Sequence, residues 1–510
     1  MSINFPIDTV VQVLRVLIVV VALGALLNKT TLRPHLTTAL LVLCTLLVGV
    51  VFSGNAASRS KDGKGAAVME AGFSELMMRM SAGYKAISSG LSITSAVGGR
   101  DTKEFYESAA KSMESAVNHD PQSLALRLKQ VVLAAETGVS FAEELEAMRG
   151  YKDQRAGRSS DLVEALYLKK ALKAAESANA LALIDELISS GFYRDVLKLE
   201  VYKVTGQTKV FEAAANEYND SSRFFTVRLA ALMLVMALSG FIGIIVLAVQ
   251  LFKLPRNLSD VTTLAQIRAP AAYGFKKVYG VLIGWLALES FLSPVISFFV
   301  PYLKGGTKDP VTLALLTMVI YLVTNLPALL LVWLIATKPT GVGFFEAVKL
   351  RWRTPTRGPV GLVFAGILTW FACVPLVLVS SIVAKKLFGA EGSSNPVLTI
   401  IMEAVRSHNV LAPILFVFAL GVLPAVCEET LFRGFVYTSL RWRFGAFVSM
   451  ILSATMFSAV HMDPGAFLPL FVLGFVFAFV FERTRSLIPS MIAHCMWNTG
   501  TFILMLSIFG

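Results

Sequence analysis

Long apolar segments are the feature of this sequence that most constrains its fold. Ten stretches of 15 to 30 mostly apolar residues occupy the chain outside one central region. A helix needs about 20 such residues to cross a bilayer. Charged residues make up only 16% of the 510 residues, against about 25% in soluble domains. The sequence therefore predicts an all-α, polytopic transmembrane helix bundle, and it excludes a soluble or a disordered chain.

The apolar segments fall into a group of two, a long gap and a group of eight. They cover approximately residues 10–27, 36–52, 227–252, 278–302, 311–336, 360–384, 411–440, 445–462, 467–481 and 487–508. We therefore predict two N-terminal transmembrane helices in 1–52, a soluble insert in 53–225 and a transmembrane core in 226–510.

The net charge of +12 belongs to the membrane part of the chain. Residues 53–225 hold 22 basic and 23 acidic residues, so the whole positive excess surrounds the apolar segments. Basic residues concentrate in every second short loop, and such loops face the cytoplasm by the positive-inside rule. We therefore expect the insert to be extracytoplasmic, although Arg59, Lys61 and Lys64 oppose this orientation. The charge gives no sign of a nucleic-acid partner.

The insert has the composition of a helical soluble domain. Alanine, leucine, glutamate and lysine dominate it, with apolar residues at helical spacing. Asp101 is predicted to cap a helix that continues through Ala109, Met113, Ala116 and Val117 to the Asp120–Pro121 break. This spacing is similar to the second half of a tetratricopeptide repeat (TPR). We predict an all-helical accessory domain, and the more specific alternative is a TPR-like solenoid that binds a protein partner. Helix breaks are predicted at Gly138, Gly150, Gly157, Gly191 and Gly206.

Acidic residues within apolar segments indicate where the chemistry lies. Glu289, Glu428 and Glu429 are the three we find there. A charged side chain at membrane depth costs several kcal/mol, so it usually has a partner or a function. Glu429 and Arg433 are four residues apart and are predicted to pair on one helix face. Glu428 points about 100° away and stays available. A structural ion pair with one spare acid is the alternative.

Two of the five histidines lie in segments eight and ten. Phe457 is one helical turn before His461 and is predicted to pack beside it. Asn498 is one turn after His494, so both side chains share a face. At about 1.5 Å per residue from the cytoplasmic loops, the two glutamates lie about 18–20 Å deep, His461 about 24 Å, and His494 with Asn498 about 12–18 Å. These side chains can therefore meet inside the bilayer.

Three motifs on these segments resemble those of the CAAX-protease and bacteriocin-processing family. E-E-T-L-F-R-G (428–434), F-S-A-V-H (457–461) and H-C-M-W-N (494–498) are similar to the family motifs E-E-x3-R, F-x3-H and H-x3-N. The family includes Rce1-like CAAX prenyl endopeptidases and bacterial abortive-infection proteins. The motif region is 410–510, and an eight-helix core of the Rce1 type would cover segments three to ten. The first two segments and the insert lie outside the resemblance.

The resemblance implies an intramembrane endopeptidase that acts on a membrane-associated protein or peptide. Glu428 would activate water and His461 would help to hold it. His494 and Asn498 would stabilise the oxyanion. Supporting residues would be Glu429, Arg433 and Phe457. A multi-pass protein of the bacterial plasma membrane is the expected localisation.

The resemblance leaves the metal requirement open between two mechanisms. We favour a glutamate mechanism without a cofactor, since the chain has no H-E-x-x-H motif and the candidate ligands come from different helices. The alternative is a zinc ion bound by Glu428, His461 and His494, which would form a three-ligand site with an open position.

Two functions other than proteolysis also remain open. One is a non-enzymatic immunity or scaffold protein that displays the insert to partners. The other is a transporter in which intramembrane acids, Glu289 among them, relay protons. The four intact motif residues favour the protease, and we find none of the internal repeats that a transporter would show.

Overall fold

The computed structural model describes residues 63–90, 102–188, 190–253, 275–304, 309–388, 411–461, 463 and 465–509, with nine isolated positions between 13 and 46. The first two predicted segments and Asp101 lie outside the described residues. Within the described ranges the chain is all-α and contains no β-strand. It forms two compact units. One comprises 59–234 with 507–509, and the other comprises 1–58, 235–506 and 510.

The first unit is a set of antiparallel helices around one apolar core. Its helices are α1 (Gly63–Gly90), α2 (Lys103–His119), α3 (Leu124–Thr137), α4 (Ala142–Arg149), α5 (Gln154–Val163), α6 (Ser177–Leu187) and α7 (Phe192–Val204). The core contains all four residues predicted to form the buried face of α2, namely Ala109, Met113, Ala116 and Val117. The helical face read from the sequence is therefore confirmed. A TPR-like function of this unit stays a prediction.

Polar contacts fix α7 against α1 inside this unit. The Ser74 and Tyr193 hydroxyl groups lie 2.6 Å apart in the interior. Glu75 Oε1 accepts a hydrogen bond from the backbone N–H of Phe192 at 3.2 Å. A carboxylate at the first turn of a helix satisfies a backbone donor that has no partner within the helix. The start of α7 is thus capped by a residue distant in sequence.

Glycines lie at the boundaries of several helices of this unit. Gly138, Gly191 and Gly206 have φ values of 73°, 104° and 72°, which glycine adopts at little cost, and Gly150 follows the last residue of α4. These four predicted breaks are confirmed. The break predicted at Gly157 is wrong, because this glycine lies inside α5. Burial of the other face of α5 offsets the cost of about 1 kcal/mol for a glycine in a helix.

The second unit contains the apolar helices. They are α8 (Thr208–Phe252, which begins in the first unit), α9 (Phe275–Lys304), α10 (Pro310–Leu331), α11 (Phe344–Ala347), α12 (Pro359–Phe388), α13 (Leu411–Arg443), α14 (Ala446–Val460), α15 (Phe467–Thr484) and α16 (Ile488–Phe509). Among the described residues, five helices are long and apolar enough to cross a membrane: α8, α10 with its extension to Thr340, α12, α13 and α15. The chain is an integral membrane protein.

Helix α14 is shorter than the apolar segment that predicted it. It has 15 residues, which span about 22 Å, less than the hydrocarbon thickness of about 30 Å. Its last turn is followed by His461, which occupies the C-cap position. The short helix therefore places this histidine at a helix end rather than within a span.

Small residues bring α13, α14, α15 and α16 close together. A Cβ on Gly474 of α15 would lie 3.1 Å from Cα of Ala454 on α14. A Cβ on Gly421 of α13 would lie 2.5 Å from Oγ1 of Thr499 on α16. Such close backbone approach is typical of membrane helix pairs with small residues at the contact. The three helices that carry the motifs thus pack closely, together with α15.

Helix α13 departs from α geometry at two places. π-Helical turns occupy Phe418–Val422 and Thr430–Tyr437. π-Turns rotate the following side chains and are frequent at functional sites. The second turn begins directly after the Glu428–Glu429 pair, so the helix changes its geometry at the candidate site.

Candidate active site

Glu429 and Arg433 form a fully buried ion pair. Arg433 Nη1 donates to Glu429 Oε1 at 2.8 Å, and both side chains have 0% exposure. Arg433 Nη2 donates to the Gly474 carbonyl at 3.0 Å. The guanidinium also lies over the rings of Phe457 and Phe477, at 4.5 and 5.3 Å from their centroids. The predicted pair is confirmed, and it joins α13 to α14 and α15.

Both motif histidines are oriented through Nδ1. The Nδ1 of His494 lies 3.0 Å from Glu429 Oε1, and the Nδ1 of His461 lies 2.7 Å from the Phe457 carbonyl. A carboxylate or carbonyl oxygen only accepts, so each Nδ1 carries the hydrogen in these contacts. A neutral imidazole with hydrogen on Nδ1 has a lone pair on Nε2. The two Nε2 atoms are therefore the free, basic faces of the rings.

Glu428 lies where these two basic faces converge. Its Oε1 accepts a hydrogen bond from the Tyr321 hydroxyl at 3.1 Å. Its Oε2 lies 3.9 Å from Nε2 of His461 and 3.9 Å from Nε2 of His494. Within the described part of the chain this buried oxygen has no hydrogen-bond partner. Separations of 3.9 Å are too long for direct hydrogen bonds and suit a bridging water.

Aromatic rings hold the imidazoles in place. The Phe457 ring contacts His461 edge-on, with centroids 4.9 Å apart, and it also lies 6.0 Å from the His494 ring. Phe477 stacks on His494 at 5.3 Å. The packing predicted between Phe457 and His461 is confirmed. Because rings surround the imidazoles, the site has a low-polarity wall in which charge–charge interactions are strong.

Asn498 makes a different contact from the other motif residues. Its Nδ2 donates to the Leu420 carbonyl at 3.0 Å, within the first π-turn of α13. The structure therefore brings together the two glutamates, the arginine and the two histidines. It directs Asn498 towards the neighbouring backbone. One amide hydrogen of Asn498 remains for another acceptor, since the group carries two.

Comparison with known protein families finds a match over the part of the chain that holds most of these residues. Residues 410–500 match the family model described as type II CAAX prenyl endopeptidase Rce1-like. This segment is similar to that family and is called the Rce1-like region. The match includes every residue of the glutamate–histidine group just described except Tyr321, which lies upstream on α10.

One curated protein is also similar to part of this chain. The protein named "Putative membrane peptidase YdiL" from Bacillus subtilis (strain 168) is 29% identical to this chain over 92 residues. The aligned part is 18% of this chain and 38% of that protein. This chain thus covers well under half of the relative it matches. No solved structure matches the chain.

Three contacts of the Rce1-like region were missed by sequence reasoning. They involve Tyr321, Phe477 and Gly474. Tyr321 is the single tyrosine of its apolar segment, so it could have been recognised from the sequence as a candidate polar contact. Phe477 is one of many phenylalanines on α15, and a backbone carbonyl such as that of Gly474 has no sequence signature. Only packing selects these two.

The side-chain donor atoms of the Rce1-like site are of the types that bind metal ions. Each histidine has its Nδ1 held and its Nε2 directed at Glu428, which is the orientation that metal-ligating histidines adopt. No group of three His, Cys, Asp or Glu side chains among the described residues is arranged to hold a metal ion. The types of donor atom fit zinc. The distances between these atoms are larger than a single zinc ion with bonds of about 2.0–2.1 Å requires.

Proposed function

We propose that this protein is an intramembrane endopeptidase in which Glu428 activates a water molecule. The observation that carries the proposal is the convergence of Glu428 Oε2 with two imidazole Nε2 atoms at 3.9 Å each. All three atoms are acceptors, so a water placed between them can donate its two hydrogens to two of the three and present an oxygen lone pair outward. This is the geometry that a nucleophilic water needs.

Glu428 and Glu429 have different tasks in this proposal. Glu429 is neutralised by Arg433, whereas Glu428 has only the Tyr321 hydroxyl on its other oxygen. Glu428 therefore takes the proton of the water as the oxygen attacks the scissile carbonyl. Among the described residues Glu428 Oε2 has no hydrogen-bond donor, so it is available to accept this proton.

His494 is proposed to stabilise the tetrahedral intermediate. Glu428 passes the proton that it took from the water to Nε2 of His494, and the resulting imidazolium donates to the oxyanion while Glu429 stabilises its positive charge through Nδ1. The same proton can then pass to the leaving amine. The second amide hydrogen of Asn498 is the proposed additional oxyanion donor. Donors aimed at a developing oxyanion typically contribute about 2.7–4 kcal/mol each.

The proposed substrate is a membrane-associated protein or peptide. The similarity of residues 410–500 to Rce1-like CAAX prenyl endopeptidases supports this substrate class, and both glutamates lie on α13, a helix of membrane-spanning length and composition. CAAX-type processing and maturation of another peptide both suit this site. The insert is proposed to be extracytoplasmic and to select or bind protein partners.

A variant comparison tests the proposed activity. Membranes from cells with wild-type protein and with Glu428→Gln are compared by proteomics for proteins that accumulate uncut. Glu428→Gln keeps size and hydrogen bonding but removes basicity, so cleavage should fall by at least about 10²-fold. Glu346→Gln is the control, because Glu346 is an exposed acid in the same unit. Normal cleavage by the Glu428→Gln variant would contradict the proposal and favour a scaffold role.

The metal requirement has its own test. We propose that the reaction proceeds without a cofactor, with zinc bound by Glu428, His461 and His494 as the alternative. Purified wild-type protein should then contain no stoichiometric zinc and should keep its activity after prolonged chelation. Loss of activity on chelation, with recovery on addition of zinc alone, would replace the glutamate mechanism by a zinc-activated water.

A further inference from the structure

A cavity in the membrane unit lies outside the glutamate–histidine group. It has a volume of about 640 Å³ and is bordered by α8, α12, α14 and α15. Ligand cavities in proteins are typically about 300–1,000 Å³. Its walls are mainly aliphatic and aromatic, and none of the site residues described above lines it.

Three cationic side chains line this cavity: Lys253, Arg357 and Arg483. Lys253 directly follows α8, Arg357 lies just before α12, and Arg483 lies in the last turn of α15. No acidic residue is among the lining side chains, all of which are described. The lining therefore combines three cationic side chains with an apolar wall.

Helix register puts these cations at one end of the cavity. A Cβ on Gly243 would lie 2.1 Å from the Phe371 carbonyl, so α8 and α12 touch at that level. The Ser486 hydroxyl, just after α15, donates to the carbonyl of Arg351, just before α12, at 2.6 Å, so Arg357 and Arg483 lie at the same end of these two helices. The cavity-lining residues in and directly after α8 all follow Gly243 and include Lys253, and most of those in and just before α12 precede Phe371 and include Arg357.

The geometry points to a binding site for an anionic phospholipid. Its phosphate would sit among Lys253, Arg357 and Arg483, and one acyl chain would occupy the apolar part of the cavity between α12 and α15. A membrane helix end with basic residues attracts anionic lipid head groups, and here an apolar cavity continues directly from the basic end. The inference does not depend on the proposed protease activity.

Native mass spectrometry of the purified full-length protein tests this site. The protein is equilibrated with phosphatidylglycerol or with phosphatidylcholine of the same acyl chains, and retained lipid is counted. Wild type should retain phosphatidylglycerol at least about tenfold better. Each of Lys253→Gln, Arg357→Gln and Arg483→Gln should lower that retention about fivefold, the effect of about one charge near a membrane surface.

Two controls separate this site from general attraction between charges. Arg353→Gln removes an exposed cation of the same loop as Arg357 that does not line the cavity, and it should leave retention unchanged. Val476→Trp and Leu368→Trp fill the cavity from facing helices while keeping all three cations. Both should reduce phosphatidylglycerol retention if they keep the melting temperature of the wild type.

Several results would overturn the inference. Equal retention of the two lipids would show that the cations do not select an anion. An equal loss in Arg353→Gln would reduce the effect to net charge. Unchanged retention in a folded cavity-filling variant would exclude an acyl chain from the cavity. Displacement of phosphatidylglycerol by millimolar inorganic phosphate would assign the cations to a free anion.

Discussion

At the scale of residues, adjacent glutamates in one helix have different environments. Glu429 is fully buried, paired with Arg433 and in contact with His494. Glu428 is partly accessible and faces the open side of the histidines. Consecutive residues on a helix point about 100° apart, so one acid faces the interior of the bundle and the other faces the reaction space.

These different environments predict that the same substitution lowers stability at Glu429 but not at Glu428. Glu429→Gln leaves the Arg433 guanidinium buried without its counter-charge, which typically costs about 3–5 kcal/mol. The variant should therefore show a lower melting temperature and a lower yield in detergent than wild type. Glu428→Gln should keep both near wild type, because it removes a partly accessible charge without isolating another. Equal melting temperatures for the two variants would contradict the assignment.

At the scale of elements, the crossing of α14 and α15 at Gly474 determines the shape of the site. The Gly474 carbonyl accepts a hydrogen bond from Arg433. A Cβ at this position would lie 3.2 Å from Cβ of Ala454 and 3.2 Å from a ring carbon of Phe457. The same helix crossing therefore supports the ion pair and the ring that holds both histidines.

Gly474→Ala should consequently disturb both folding and chemistry. Extra atoms in a close-packed contact typically cost about 1–3 kcal/mol, and here α15 must move away from Phe457. We expect a lower melting temperature together with a lower kcat on a model peptide. Gly240→Ala is the matched control, because a Cβ there meets nothing within 4 Å and alanine favours a helix. Wild-type stability and kcat in Gly474→Ala would contradict the close contact.

At the scale of the whole molecule, the chain combines a helical unit of soluble composition with a membrane unit that contains the candidate site. None of the glutamates, histidines or aromatic residues of the site belongs to 59–234. The sides of the membrane follow only from the distribution of basic loops, so the orientation stays a prediction.

Protease access to sealed right-side-out cells measures that orientation. An extracytoplasmic insert should be cut within 53–225 by added protease, while the basic loop at 338–358 should be protected. After the cells are opened, the same loop should become accessible, which is the control for its susceptibility. Protection of the insert in sealed cells with cleavage of the 338–358 loop would reverse the topology.

The all-α membrane fold and the helical character of the insert could be predicted from the amino-acid sequence alone, and so could most of the motif residues that the structure brings together. Runs of apolar residues have few alternatives to helices in a bilayer, because every backbone polar group must be satisfied within the segment. The Glu429–Arg433 pair could be predicted for a similar reason, since a four-residue spacing on one helix fixes both side chains on one face.

The contacts between residues of the separate motifs could be learned only from the tertiary structure. The contact of Tyr321 with Glu428, the stacking of Phe477 on His494 and the turn of Asn498 towards Leu420 each join residues from different helices. Their distances depend on helix crossings at small residues and on π-turns. Periodicity gives the face of each helix, whereas close packing between helices sets the rotation and depth at which those faces meet.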